Sequence, residues 1–169
     1  DPNLGMIPYF LKKAGLGTVA FLKDPDLAMP TVIGITAWKG FGYTLTILVA
    51  AVLNIPESQY EAAEMDGAST WNKFIKITIP SIMPTISFCI VTTAISSMQV
   101  FDQTYVMTQG GPLYRTETLV QYIYDRGFQT APYDLGYASA ISIYLFVIIA
   151  VITFILRKFV LNRGETENA

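Results

Sequence analysis

Few side chains in this sequence could do covalent chemistry. It contains no histidine, and its one cysteine, Cys89, lies inside an apolar run. Zinc or haem ligation and Cys/His nucleophiles therefore lack ligands or a base, and an intrachain disulfide lacks a second thiol. Lys39, with hydroxyls elsewhere in apolar segments, remains; an intramembrane enzyme or channel using them is the alternative reading, with a dyad of Lys39 and Ser96 or Ser97 as the one enzymatic arrangement open to it. The carboxylates Glu61, Glu64 and Asp66 cluster instead in a polar block, where they can accept from Arg or Lys on another molecule. The glycine-rich TQGGP stretch lacks the G-x-x-x-x-G-K-[ST] spacing of a phosphate cradle. It reads as a tight turn through Gly110 and Gly111, and the chain does not read as an ATPase.

The elements that must position these groups are set by composition. Of 169 residues, 52% are hydrophobic and 14% charged, more apolar than a soluble domain. The 11 basic and 13 acidic residues are dispersed, with no basic stripe for nucleic acid. Crossing about 30 Å of hydrocarbon takes roughly 20 apolar residues in a helix. Three segments meet that: residues 27–55, 79–101 and 135–156. The last is uncharged and closes on Arg157 and Lys158. The middle one is rich in Ser and Thr and carries Pro80 and Pro84, which suits a bundle interior. The first contains Lys39 near its centre, among Gly34, Gly40 and Gly42, and an intramembrane charge needs a partner. A soluble protein with three buried helices is the remaining reading of the same pattern.

Three spans place residues 1–26 and 102–134 on one side, and residues 56–78 and 157–169 on the other. Lys and Arg are evenly shared between the sides, but Arg157 and Lys158 abut a span. That puts the polar block in the cytoplasm. Within it, Ser58 and Glu61 have capping-box spacing, Gly67 suits a helix stop, and Ser69 or Thr70 can cap a second helix bearing Trp71, Phe74, Ile75 and Ile77. An interfacial helix on headgroups would have a basic polar face; this one is acidic up to Asp66, which favours a protein partner.

The block EAAEMDGASTWNKFIKITIP resembles the EAA loop of permease subunits of bacterial ABC importers. The resemblance places Glu61, Ala62, Ala63, Asp66, Gly67, Ala68, Phe74, Ile77 and Pro80 in the motif, with Ile79 where leucine is usual. FDQTYVMTQGGP, TETLVQYIYDRGF and DLGYASAISIYLF are similar to the carbohydrate branch, of the maltose and glycerol-phosphate type. The likeness covers the whole chain and aligns it with the last three spans of a larger subunit; the chain, opening on Asp1 with no signal-peptide pattern, reads as part of a longer polypeptide.

The resemblance implies an all-α integral membrane fold: three transmembrane helices with a cytoplasmic helix-turn-helix coupling loop, part of a larger helical permease bundle. Glu61, Ala62, Ala63, Asp66, Gly67 and Ala68 would couple to an ATPase. Thr36, Lys39, Gly40 and Tyr43 on one span, and Thr93, Ser96, Ser97 and Val100 on the next, would line the substrate path, where a sugar asks for aromatic faces and neutral hydrogen-bonding groups; helix packing is the competing role of these hydroxyls. Lys39 stands where the maltose-type protein has an apolar residue. The resemblance further implies a second permease subunit, two cytoplasmic ATPase subunits holding ATP and Mg²⁺, and an extracytoplasmic solute-binding protein. Tyr114, Arg115, Tyr122 and Tyr124 are candidates to meet that protein, or to form an interfacial aromatic belt. No catalytic residue, metal or cofactor is expected on this chain, and the location implied is the bacterial or archaeal plasma (inner) membrane, multi-pass.

Overall fold

The computed structural model of the chain describes residues 5–15 and 17–165, which form helices and turns with no strand among them. In order these are α1 (Met6–Lys13), α2 (Ala28–Leu53), α3 (Glu57–Met65), α4 (Thr70–Lys73), α5 (Ile79–Met98), α6 (Asp102–Met107), α7 (Leu119–Tyr124) and α8 (Leu135–Glu165). Two π-helical turns, Phe74–Thr78 and Asp125–Gln129, join α4 to α5 and extend α7. Three helices are long and apolar enough to cross a membrane: Ala28–Leu53, Thr70–Met98 and Leu135–Lys158.

Local chemistry sets their ends. The Asp24 carboxylate accepts from the N–H groups of Asp26 and Leu27 at 2.8 and 3.3 Å just ahead of α2. Pro30 then sits in its first turn, where a missing N–H costs nothing. The Asn54 side chain donates back to the Ala50 carbonyl at 2.8 Å and closes the same helix. Asp134 caps α8 by accepting from the Tyr137 N–H at 2.9 Å. The second span differs from a plain α-helix. It runs unbroken from Thr70 through a wide turn, in which the Ile79 N–H reaches the Phe74 carbonyl. That turn ends two residues before Pro80, which lacks an N–H and whose ring would crowd the carbonyl four residues back in a regular helix.

The chain divides into two compact units. One comprises the residues up to Lys39 together with Gln99–Phe146, the other Gly40–Met98 together with the residues from Val147 on. In the first, Ala28, Val32, Ala138 and Leu145 are buried, as are the polar Thr104, Thr116 and Gln121. Phe101, Tyr105 and Tyr124 form a ring cluster with centroids 5.1–5.4 Å apart, and Phe128 extends it at 5.8 Å from Tyr124. Such pairs add about 0.5–1.5 kcal/mol each beyond area burial. Thr116 ties the TQGGP turn: its hydroxyl donates to the Gly111 carbonyl at 2.7 Å and its oxygen lies 2.6 Å from Thr108 Oγ1, while its N–H bonds the Gly110 carbonyl. Gly110 has φ +81°, the conformation the turn requires of glycine. In the second unit, Thr78, Ile82, Ser87 and Cys89 are buried along the span that starts at Thr70.

Candidate functional site

The polar block folds as two helices around a glycine. α3 starts at Glu57 behind Pro56, one residue before the expected Ser58, and no side chain caps it. The capping box is therefore not formed. Pro56 has φ −59°, already suited to a helix, and its carbonyl accepts from the Gln59 N–H at 3.1 Å, so the first turn closes upstream of Ser58. At the other end Gly67 adopts φ +73°. The Ala68 N–H bonds the Ala63 carbonyl and the Gly67 N–H bonds the Glu64 carbonyl, both at 2.9 Å. This is a Schellman stop, satisfying carbonyls the helix leaves open. Ser69 then caps α4, accepting from the Asn72 N–H at 3.3 Å.

Two ties that local pattern did not suggest fold the halves together. Lys73 Nζ donates to Glu64 Oε1 at 2.5 Å, and Tyr60 Oη lies 2.8 Å from Thr78 Oγ1. The Lys73 ammonium, first as hydrogen-bond donor and second as a charge, holds the Glu64 carboxyl below the usual glutamate range. Between these ties, Glu61, Ala62, Asp66 and Gly67 are exposed, with Ala63 and Ala68 half-buried, and no residue of α3 is buried. The six expected coupling residues thus lie on one short helix and its stop. That surface is small-residue and acidic.

The expected substrate-path residues fall in both units, Thr36, Lys39 and Val100 in the first and Gly40, Tyr43, Thr93, Ser96 and Ser97 in the second. Lys39, Gly40, Tyr43, Thr93, Ser96 and Ser97 are exposed, while Thr36 and Val100 are half-buried. Thr36 and Ser97 spend their hydroxyl hydrogens on the Val32 and Ala94 carbonyls at 2.8 Å, the local bonding that lets hydroxyl residues sit in a helix. Lys39 forms no ion pair or hydrogen bond with the described residues. Among those residues no group of three His, Cys, Asp or Glu converges as a metal site.

In the segment between α5 and α8, Tyr114 and Arg115 are exposed and Tyr122 and Tyr124 half-buried. Tyr124 belongs to the ring cluster, and Tyr122 lies under the Arg126 guanidinium, 5.2 Å from its ring centroid. A cleft of about 680 Å³ opens there, bounded among others by Tyr105, Gln109, Gln121, Asp125, Arg126 and Gln129. Gln129 donates to the Tyr105 hydroxyl at 2.7 Å, and Gln121 is 1% exposed with its Oε1 unpaired among the described residues. A polar glutamine in an otherwise ordinary short helix gives no warning of that burial.

Known proteins are similar to this chain in sequence and in fold. The lactose transport system permease protein LacF of Rhizobium radiobacter is 37% identical over 139 residues, 81% of this chain and 46% of its own. A crystal structure of a bacterial ABC transporter involved in import of the acidic polysaccharide alginate superposes with TM-score 0.81 at 31% identity, over 96% of this chain and 56% of that one. The bacterial alginate ABC transporter in complex with an alginate pentasaccharide-bound periplasmic protein gives TM-score 0.79 at 32% identity, over 94% and 55%. The chain thus spans about half the length of these relatives. They are transport proteins and lend no support to an enzyme built on Lys39 and span hydroxyls. Residues 4–163 match the binding-protein-dependent transport system inner membrane component, and the chain belongs to that family of multi-pass membrane proteins.

Proposed function

We propose that the chain is the three-span, C-terminal part of a permease subunit in an ATP-driven importer of a sugar or sugar derivative, working by alternating access. The observation that carries this is the block from Glu57 to Thr78: a short exposed helix, a Schellman stop at Gly67, and a second helix continuous with a membrane-length span. A push on the first helix crosses only the short connection at Gly67, and from Thr70 on no loop intervenes before the span. In this reading the block lies in the cytoplasm and Glu61, Ala62, Ala63, Asp66, Gly67 and Ala68 meet an ATPase subunit. Two such ATPases bind ATP and Mg²⁺; their closure re-aims the spans. A second permease subunit completes the bundle, and the segment between α5 and α8 faces an extracytoplasmic solute-binding protein, as the alginate transporter's complex with a periplasmic protein supports. The setting is the plasma membrane of a bacterium or archaeon, with lipid against the apolar faces.

The solute class rests on relatives named for lactose and for an acidic polysaccharide. Thr36, Lys39, Gly40, Tyr43, Thr93, Ser96, Ser97 and Val100 would line its path. Lys39 would supply the positive charge, since an unpaired ammonium within a span is costly. Proteoliposomes holding the full-length permease, its partner permease and ATPases test the proposal when supplied with purified binding protein and labelled sugars. ATP-dependent accumulation of a sugar is the expected result; an assembled complex that hydrolyses ATP yet moves none of the sugars its binding protein holds would overturn it.

A further inference from the structure

We propose that Tyr60 is a positioning residue for coupling: its hydroxyl, bonded to Thr78, is the strut through which movement of α3 enters the membrane span. The inference rests on the coupling reading above and adds the route by which that coupling travels.

Two side-chain ties fold the block back on itself. Tyr60 meets Thr78 and Glu64 meets Lys73, so the ends of α3 are each bonded to the 70–78 segment across the turn at Gly67. The two ties differ in character. Glu64 is 64% exposed though Lys73 is only 16% exposed, and an ion pair with its carboxylate in solvent is weakened and screened by salt. Thr78 is 7% exposed, so its bond to Tyr60 is shielded from competing water. The bond also lands where the span can bend. Thr78 ends the π-helical turn and Pro80 follows two residues later. A wide turn beside a proline departs from regular helix bonding, and such sites recur where helices kink. Tyr60 itself immediately precedes the Glu61 to Ala68 surface. A displacement of that surface therefore bears, through one hydroxyl pair, on the hinge of the span rather than on its rigid length.

A role in packing alone is separable from this one, because Tyr60→Phe removes only the hydroxyl. In the complete reconstituted importer, solute moved per ATP hydrolysed should fall roughly two- to tenfold in Tyr60→Phe and equally in Thr78→Val, the range one lost hydrogen bond implies. The double variant should be no worse than either single one, and Thr78→Ser, which keeps the hydroxyl, should restore the ratio. An unchanged ratio in Tyr60→Phe, or losses that multiply in the double variant, would overturn the strut. A photo-crosslinker at Ala62, run in parallel, separates this from the parent reading. Crosslinking to the ATPase with an unchanged ratio removes only the strut, whereas no crosslink in the otherwise unaltered complex removes the coupling reading and the strut with it.

Discussion

Gly67 is the position at which the coupling block is most exposed to a single substitution. Its φ of +73° lies in the left-handed region, and a Cβ added there would meet nothing within 4 Å. Crowding within this chain is thus absent, and the penalty on the fold is one of backbone conformation. Gly67→Asn should be nearly neutral, since asparagine enters this region readily. Gly67→Ala should cost about 1–2 kcal/mol, which raises the opened fraction of the turn roughly tenfold at about 1.4 kcal/mol. Gly67→Pro is different in kind. Its φ is held near about −65°, so the left-handed stop cannot form and both 2.9 Å bonds, to the Glu64 and Ala63 carbonyls, are lost. At about 0.5–1.5 kcal/mol per bond, on top of the backbone term, the folded stop becomes a minor state. The assay is solute uptake and phosphate release in proteoliposomes of the complete importer. Gly67→Pro should hydrolyse ATP without accumulating solute, with Gly67→Ala intermediate and Gly67→Asn close to the parent. Normal uptake by Gly67→Pro, or an alanine variant as damaged as the proline one, would refute the reasoning.

Other positions give independent outcomes. Because Glu64 titrates below the usual glutamate range, its tie to Lys73 is fully present above the unfolded carboxyl value and is lost as pH falls through the lowered native one; a carbon-13 titration of Glu64 should show the lowered value, and Lys73→Met should return it to the ordinary one. At Gly127, a Cβ would lie 3.2 Å from that of Ala138, itself 4% exposed, so neither can rotate away. Gly127→Ala should lower the melting temperature in detergent, because about 1–3 kcal/mol of overpacking outweighs the usual gain of up to about 1 kcal/mol on replacing a helical glycine; an unchanged or higher melting temperature would contradict the packing described. Lys39→Met should raise the KM for uptake about tenfold or more if the ammonium bonds the solute, as a lost charged hydrogen bond implies, and an unchanged KM would take Lys39 out of the path.

How much of this was legible in the sequence varied with the range of the interaction. The three apolar helices followed from long apolar runs, charged only at Lys39 in the first, and the stop at Gly67 and the cap at Ser69 followed from single residues acting on their own neighbours. The capping box at Ser58 misled because Pro56 starts the helix upstream, a competition between two local signals that spacing alone does not rank. What could not be read was the non-local hydrogen bonding. Tyr60 and Thr78 are 18 residues apart, and the bond of Gln129 to Tyr105 spans 24. Tyr124, a candidate for contact with a partner, also packs in a ring cluster whose members come from three short segments, and that packing was not legible. The π-helical turns are likewise unmarked except by Pro80, whose crowding of the preceding turn is visible only once the helix is known to continue through it.

The central claim is that the Glu61 to Ala68 surface is where an ATPase takes hold. Photo-crosslinking from Ala62 or Ala63, in membranes holding the full-length permease and its ATPase, tests it most directly. The account predicts a crosslink to the ATPase whose yield changes with bound nucleotide. Crosslinks to lipid alone, in a complex shown to be assembled and active, would contradict it.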